Sequence, residues 1–206
     1  MGMLARVCAV AVACLAVSAA EAENYPSKPI RVIVPFAAAG PTDIIARLVG
    51  QKLGETLGQQ FYIENIPGAG GNTGTAMVAK SPHDGCTLLV VSTGFVVNPS
   101  LYAKVPYDPI KEFAPITLYA TTTSIMAVNS ALPVNTVPEL IAYAKARPGQ
   151  LLYGSAGTGT GMHLCMELFS TMTGIKASHV PYKGAPQMLA DFAGGQLQFS
   201  CVPTAP

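Results

Sequence analysis

Four stretches of this 206-residue chain set glycine, alanine or proline between a β-branched run and a run of helical spacing: residues 37–42, 67–72, 154–161 and 181–185. At such a junction the free N–H groups and the dipole of a helix amino end favour an anion, and small side chains let it approach the backbone. One loop alone is as readily a tight turn. Four of them predict a crevice that binds an anion at the carboxyl ends of strands. His163, just after the third loop, either points its ring at that crevice as a donor or packs as a satisfied histidine. Tyr182, at a strand end before Lys183-Gly184, is placed to stack on a ligand and donate its phenol. Thr42 and Asp43 open a helix, where the acidic residue suits the dipole and ligand contact is the sharper alternative.

Other chemistries fit less well. No loop ends in the Gly-Lys-Ser/Thr of a phosphate-binding loop, and neither Gly68-x-Gly70 nor Gly157-x-Gly159 continues to the third glycine of a dinucleotide fingerprint. Ser155 sits in a glycine-rich bend with His163 nearby, the rival reading being a secreted serine hydrolase. Tyr153-Gly154-Ser155-Ala156-Gly157 lacks the first glycine of a nucleophile elbow, however, and no acidic partner stands out. The histidines and cysteines show no metal spacing, so neither metal nor cofactor is expected. With 12 basic and 11 acidic side chains, nothing points to nucleic acid. A monomer acting without catalysis is expected.

The elements that position these loops alternate. Residues 30–36 read as a buried strand; Ile44, Ile45, Leu48, Val49, Leu53 and Leu57 then recur at helical steps until Gly58. The unit repeats as strand 61–64, loop 67–72 and helix 73–80, and residues 87–92 give a third strand. After Asn98 the chain turns Pro-rich and passes two β runs, 116–120 and 124–128, read as the crossing between lobes. A capping box at Thr136-Val137-Pro138-Glu139 opens the next helix. Strand 151–153 follows, then a helix with Leu164, Cys165, Leu168, Phe169 and Met172 on one side, strand 177–180, helix 186–192 and strand 196–202. The fold class is α/β with mostly parallel sheets in two lobes, 23–121 and 122–206.

The first 22 residues read as a secretory signal peptide: Arg6, an apolar run from Val7 to Val17, and Ala20-x-Ala22 for cleavage. A lipoprotein attachment at Cys14 fits its flanks poorly. The mature chain is therefore expected outside the cytoplasm. Cys86, Cys165 and Cys201 lie in apolar runs and read as buried, unpaired side chains, although one bridge is compatible with the compartment.

Taken together, Tyr25-Pro26-x-Lys28-Pro29-Ile30-Arg31, Val34-Pro35-Phe36-Ala37-Ala38-Ala39-Gly40-Pro41-Thr42-Asp43, Asn65-x-Pro67-Gly68-Ala69-Gly70-Gly71, Ser81-Pro82-x-Asp84-Gly85-x-Thr87-Leu88, Pro138-Glu139-Leu140-x-x-Tyr143-Ala144 and His179-Val180-Pro181-Tyr182-Lys183-Gly184 resemble the Bug family of periplasmic solute-binding receptors. These accompany tripartite tricarboxylate transporters. The resemblance implies a Venus-flytrap fold that closes on a small carboxylate (a dicarboxylate, aromatic acid or amino acid) and delivers it to transporter membrane subunits. It places one carboxylate on Pro35, Phe36, Ala38, Ala39, Gly40, Thr42 and Asp43 with Gly70 and Gly71. The second lobe would add Ser155, Ala156, Gly157, Thr158, His163 and Tyr182. Ala39 stands where the family has glycine, and Cys86 where it has tyrosine. The family also continues past Pro206, so the second lobe is expected to be incomplete, with a non-functional receptor fragment as the alternative.

Overall fold

The computed structural model describes residues 25–204, so the predicted signal peptide lies outside the described residues. Strand β1 (Ile30–Val34) is central in a parallel sheet of order β2-β1-β3, between β2 (Phe61–Asn65) and β3 (Thr87–Leu89). Its β-branched residues are buried on both faces, as a covered parallel sheet requires. Helix α1 (Pro41–Leu57) covers one side and ends at Gly58 in a left-handed C-cap. A 3₁₀ turn, Ala69–Gly71, leads into α2 (Asn72–Ala79).

Between the third strand and the Pro-rich stretch, where no element was expected, the chain forms a further helix, α3 (Gly94–Leu101), with Pro99 inside it. A proline there cannot bond the carbonyl one turn back. That carbonyl, Phe95 O, accepts instead from the Tyr107 hydroxyl at 3.3 Å. Phe95, Tyr107 and Phe113 pack ring to ring, which fastens the crossing segment to the first lobe. The β run expected at 116–120 forms no strand: Ile116 and Leu118 are each 78% exposed, and no ladder partner lies beside them among the described residues.

The second sheet has the order β4-β7-β5-β6: β4 (Ser124–Val128) antiparallel to β7 (Phe199–Pro203), with β5 (Leu152–Ser155) parallel to both β7 and β6 (Ser178–Pro181). Helix α4 (Val137–Lys145) starts at Thr136, whose side chain accepts from Glu139 N. It packs with α5 (Gly161–Thr173) over Leu151, Tyr153 and Phe199. On the opposite face α6 (Ala185–Ala193) brings Met188 onto Leu197. The buried face of α5 is Met162 and Met166. Leu168 and Met172, expected on the packed side, are 60% and 77% exposed.

Two cysteines depart from expectation. Cys165 on α5 and Cys201 on β7 form a disulfide, while Cys86 stays a free thiol. The bridge forms because α5 lies directly on β7, which sets the two Cα atoms 6.2 Å apart.

Candidate functional site

The amino ends of α1, α3, α5 and α6 meet at a cavity of about 170 Å³. Phe36, Gly40, Pro41 and Thr42 form the first lobe's wall, with Ser92 and Thr93 at the start of α3. Ala156, Thr160, Gly161 and Met162 face them from the second lobe, with Ala185, and Thr122, Ser124 and Pro203 close one side. The wall carries six hydroxyls and no charged side chain.

None of the four helix starts has a side-chain cap. Apart from Phe95 and Val96 of α3, which donate to Ser92 O and Thr93 O at 3.0 and 3.2 Å, and from Pro41 and Pro186, which have no N–H, the first N–H groups are left for a ligand or solvent. The starts also pair across the lobes. A Cβ at Gly40 would lie 3.6 Å from Pro186 Cδ, and one at Gly161 would lie 3.4 Å from Thr93 Oγ1. So α1 faces α6 and α3 faces α5, each pair bringing one positive dipole end from each lobe.

Asp43 holds the first loop. Its carboxylate, 2% exposed, accepts from Ala39 N at 2.8 Å, Arg47 Nε at 3.0 Å and Asn65 Nδ2 at 2.9 Å. Burial alone would raise this carboxyl, but the hydrogen bonds from Arg47, Ala39 and Asn65 outweigh it and hold the group below the usual carboxylate range. Asn65 also donates to Phe36 O at 3.1 Å. The net ties Phe36 and Ala39 to α1 although Ala39 sits at φ 61°.

The second and third loops hold each other. Tyr102 Oη donates to Thr158 O at 3.3 Å, and Gly70, at φ 64°, lies so close to Thr158 that a Cβ would come within 2.2 Å of its carbonyl oxygen. The fourth loop touches the first through Ala37 N donating to Lys183 O at 3.3 Å. All four predicted loops thus come together.

Of the predicted contacts, Phe36, Gly40, Thr42 and Ala156 line the cavity. Pro35 is buried, Ala38 and Ala39 are exposed beside the wall, and Asp43 is turned into its own loop. Gly70, Gly157 and Thr158 belong to the seam between lobes, while Gly71 packs on Pro35 and Phe36 within the first lobe. Tyr182 donates its hydroxyl to Asp191 at 2.7 Å; burial and that carboxylate push the phenol up to about 12. His163 lies under the third loop, its Nδ1 accepting Gly159 N–H at 3.2 Å. Ser155 is wholly buried, and its ring partner is His179 at 2.7 Å rather than His163, so no substrate reaches a hydrolase pair there. Ser92, Thr93, Thr122, Ser124 and Thr160 were not foreseen as lining residues. They come from separate segments that only the packing of the lobes unites.

A profile described as "Tripartite tricarboxylate transporter family receptor" matches residues 45–205. The chain belongs to that receptor family. Its relatives include Protein BugT of Bordetella pertussis, 37% identical over 85% of this chain and 54% of that protein. Among solved structures, Rpa4515 of R. palustris with adipate is 39% identical with TM-score 0.84, covering 87% of this chain and 60% of that one. MatC from Rhodopseudomonas palustris with bound malate is 31% identical with TM-score 0.80, covering 87% and 61%. These neighbours carry the two-lobed α/β fold seen here. The chain spans about half the length of the curated relatives it matches, 52% to 54%.

Proposed function

We propose that this chain is a periplasmic solute receptor that captures a small carboxylate between its lobes, residues 23–121 and 122–206, and presents it to transporter membrane subunits. It acts as a monomer after removal of residues 1–22, without catalysis, metal or cofactor. The supporting observation is that four uncapped helix amino ends, two from each lobe, open on a cavity walled by hydroxyls with no charged side chain. A carboxylate there accepts N–H and O–H donors and meets positive dipole ends, whereas a cation meets those same positive ends and no carboxylate to balance it. An engineered cavity of about 150 Å³ holds benzene, so the space here suits a ligand of roughly six to ten non-hydrogen atoms. Adipate and malate, bound by the solved neighbours, fall in that range.

The predicted contacts that do not line the wall act through it: Pro35, Ala38, Ala39, Asp43 and Gly71 shape the first lobe's loops, and Gly70, Ser155, Gly157, Thr158, His163 and Tyr182 shape the seam and the third and fourth loops. Isothermal titration against four- to six-carbon mono- and dicarboxylates, beside the diols of matching length, tests the proposal. Binding of carboxylates and not diols is expected. Binding of diols or neutral sugars with no response to any carboxylate would overturn it.

A further inference from the structure

Beneath the third loop lies a stack of one buried and two half-buried rings that lines no part of the cavity. The Tyr153 and His179 rings are 4.9 Å apart and the His179 and His163 rings 4.2 Å apart, centroid to centroid. The loop rests on this stack through its backbone. Gly159 N donates to His163 Nδ1 at 3.2 Å, and Gly157 N donates to Ser155 Oγ at 3.1 Å, itself 2.7 Å from His179 Nε2. Thr160, the next residue and the N-cap of α5, donates its N–H and its hydroxyl to Gly157 O at 3.2 and 2.7 Å.

We infer that His163 is a positioning residue for the ligand: its neutral ring anchors Gly159, so that the amino end of α5 faces the cavity, and protonation releases that anchor. The inference rests on the solute-receptor function proposed above. In the bonded form Nδ1 offers a lone pair and Nε2 carries the proton. A proton on Nδ1 would set one donor against another, and the Gly159 bond is lost.

His179 differs in this respect. If its Nε2 gains a proton, the Ser155 hydroxyl can turn its own hydrogen to Gly157 O, 3.1 Å away, and the bonds survive. His163 has no such exchange with a backbone N–H. The titratable groups facing the pair are Tyr153 on β5, whose hydroxyl donates to Glu167, and Glu167 on α5 itself. Burial lowers His163 and prevails over the Glu167 charge that favours protonation. For His179, burial and then the neighbouring His163 bring the ring to about 4. Both rings are therefore neutral at pH 7, and because burial holds His163 below the ordinary histidine value, the anchor persists through that value and is lost only at more acid pH.

The test uses adipate and malate as probes, titrated calorimetrically between pH 8 and pH 5 with the unaltered chain, His163→Asn and His163→Leu. Asn can present Oδ1 to Gly159 N–H and does not titrate. Compared at each pH with His163→Asn, which cancels protonation of the probes themselves, the unaltered chain should hold its affinity at about pH 6.5 and above and fall progressively behind as pH drops toward about 5. His163→Asn should remain within about threefold of it at pH 8 and show only the acid loss that protonation of the probes imposes, whereas His163→Leu should bind roughly tenfold more weakly at pH 8. Full affinity in His163→Leu at pH 8, or an undiminished acid loss in His163→Asn, overturns the inference. Ring-nitrogen NMR of the free protein decides the point independently of binding. An unprotonated Nδ1 with a protonated Nε2 on His163 at pH 7.5 supports the anchor, and the opposite tautomer or a charged ring refutes it. If neither probe binds the unaltered chain, the carboxylate function fails while the ring-nitrogen result still judges the anchor.

Discussion

Gly70→Ala should separate closure from folding. A Cβ at this position would lie 2.2 Å from Thr158 O and 2.8 Å from Tyr102 Oη, roughly an ångström inside the normal carbon–oxygen contact for the first. Because the obstacle is backbone in the other lobe, relief requires the third loop to draw away from the first lobe. The backbone adds a second cost, since φ is +64°, where an alanine is disfavoured by about 1 kcal/mol. Gly58→Ala supplies the control: its φ is +69°, with nothing within 4 Å of the added carbon. Both variants should lose about 1 kcal/mol, or roughly 2–4 °C in Tm for a chain of this size. Only Gly70→Ala should weaken calorimetric carboxylate binding, by roughly tenfold or more, since only it wedges the seam. If Gly70→Ala binds within about threefold of the unaltered chain while melting like Gly58→Ala, close apposition of these loops is not needed for binding, and the flytrap mechanism derived from them is wrong.

Reducing the Cys165–Cys201 bridge, which closes a sequence separation of 36 residues, should cost about 4 kcal/mol through the restored freedom of the unfolded chain. With a urea m-value of roughly 2 kcal/mol per M, the unfolding midpoint should fall by about 2 M, and the Cys165→Ala/Cys201→Ala double variant should ignore reductant. Asp43→Ala should destabilise by about 2–3 kcal/mol, because Arg47, Ala39 N–H and Asn65 lose their acceptor. The sign of the pH effect follows from a carboxyl that folding lowers: its contribution is present at neutral pH and lost as pH falls through the folded value, below about 4. Acid unfolding of the unaltered chain should therefore begin at a higher stability than that of Asp43→Asn and converge with it at low pH; parallel curves would remove the carboxylate from the explanation.

Much of the fold is legible in the sequence because burial imposes local patterns. Residues 30–34 are β-branched since β1 is covered on both faces, and Gly58 and Gly174 mark helix ends because both carry left-handed C-caps. Where tertiary partners override the local pattern, the sequence misleads. Pro99 reads as a helix breaker, yet α3 survives because the Tyr107 hydroxyl, from the crossing segment, takes the carbonyl the proline leaves free. The run at 116–120 has strand composition but no neighbour to pair with among the described residues. Leu168 and Met172 follow a helical spacing that points away from the sheet.

The site divides in the same way. Glycine-rich loops announce themselves because a close backbone approach excludes side chains, and Gly70 at the Thr158 carbonyl is such an approach. The hydroxyls of Ser92, Thr122 and Ser124 give no comparable signal, since serine and threonine are common in any loop and these three share a wall only after the chain has crossed between lobes. Histidine is legible only as a pair of alternatives. His163 reads as a donor to the crevice or as a satisfied packed ring, and its Nδ1 accepts the Gly159 N–H. A polar side chain one turn into a helix that follows a binding loop is within reach of both the ligand and the loop's own backbone. In this chain Nδ1 is already taken by Gly159, so a ligand contact through that atom would break the bond that holds the α5 amino end toward the cavity, while Nε2–H is left to donate. The two roles differ in their acid dependence: the Nδ1 anchor is lost when the ring gains its second proton, whereas donation from Nε2–H to a carboxylate survives it.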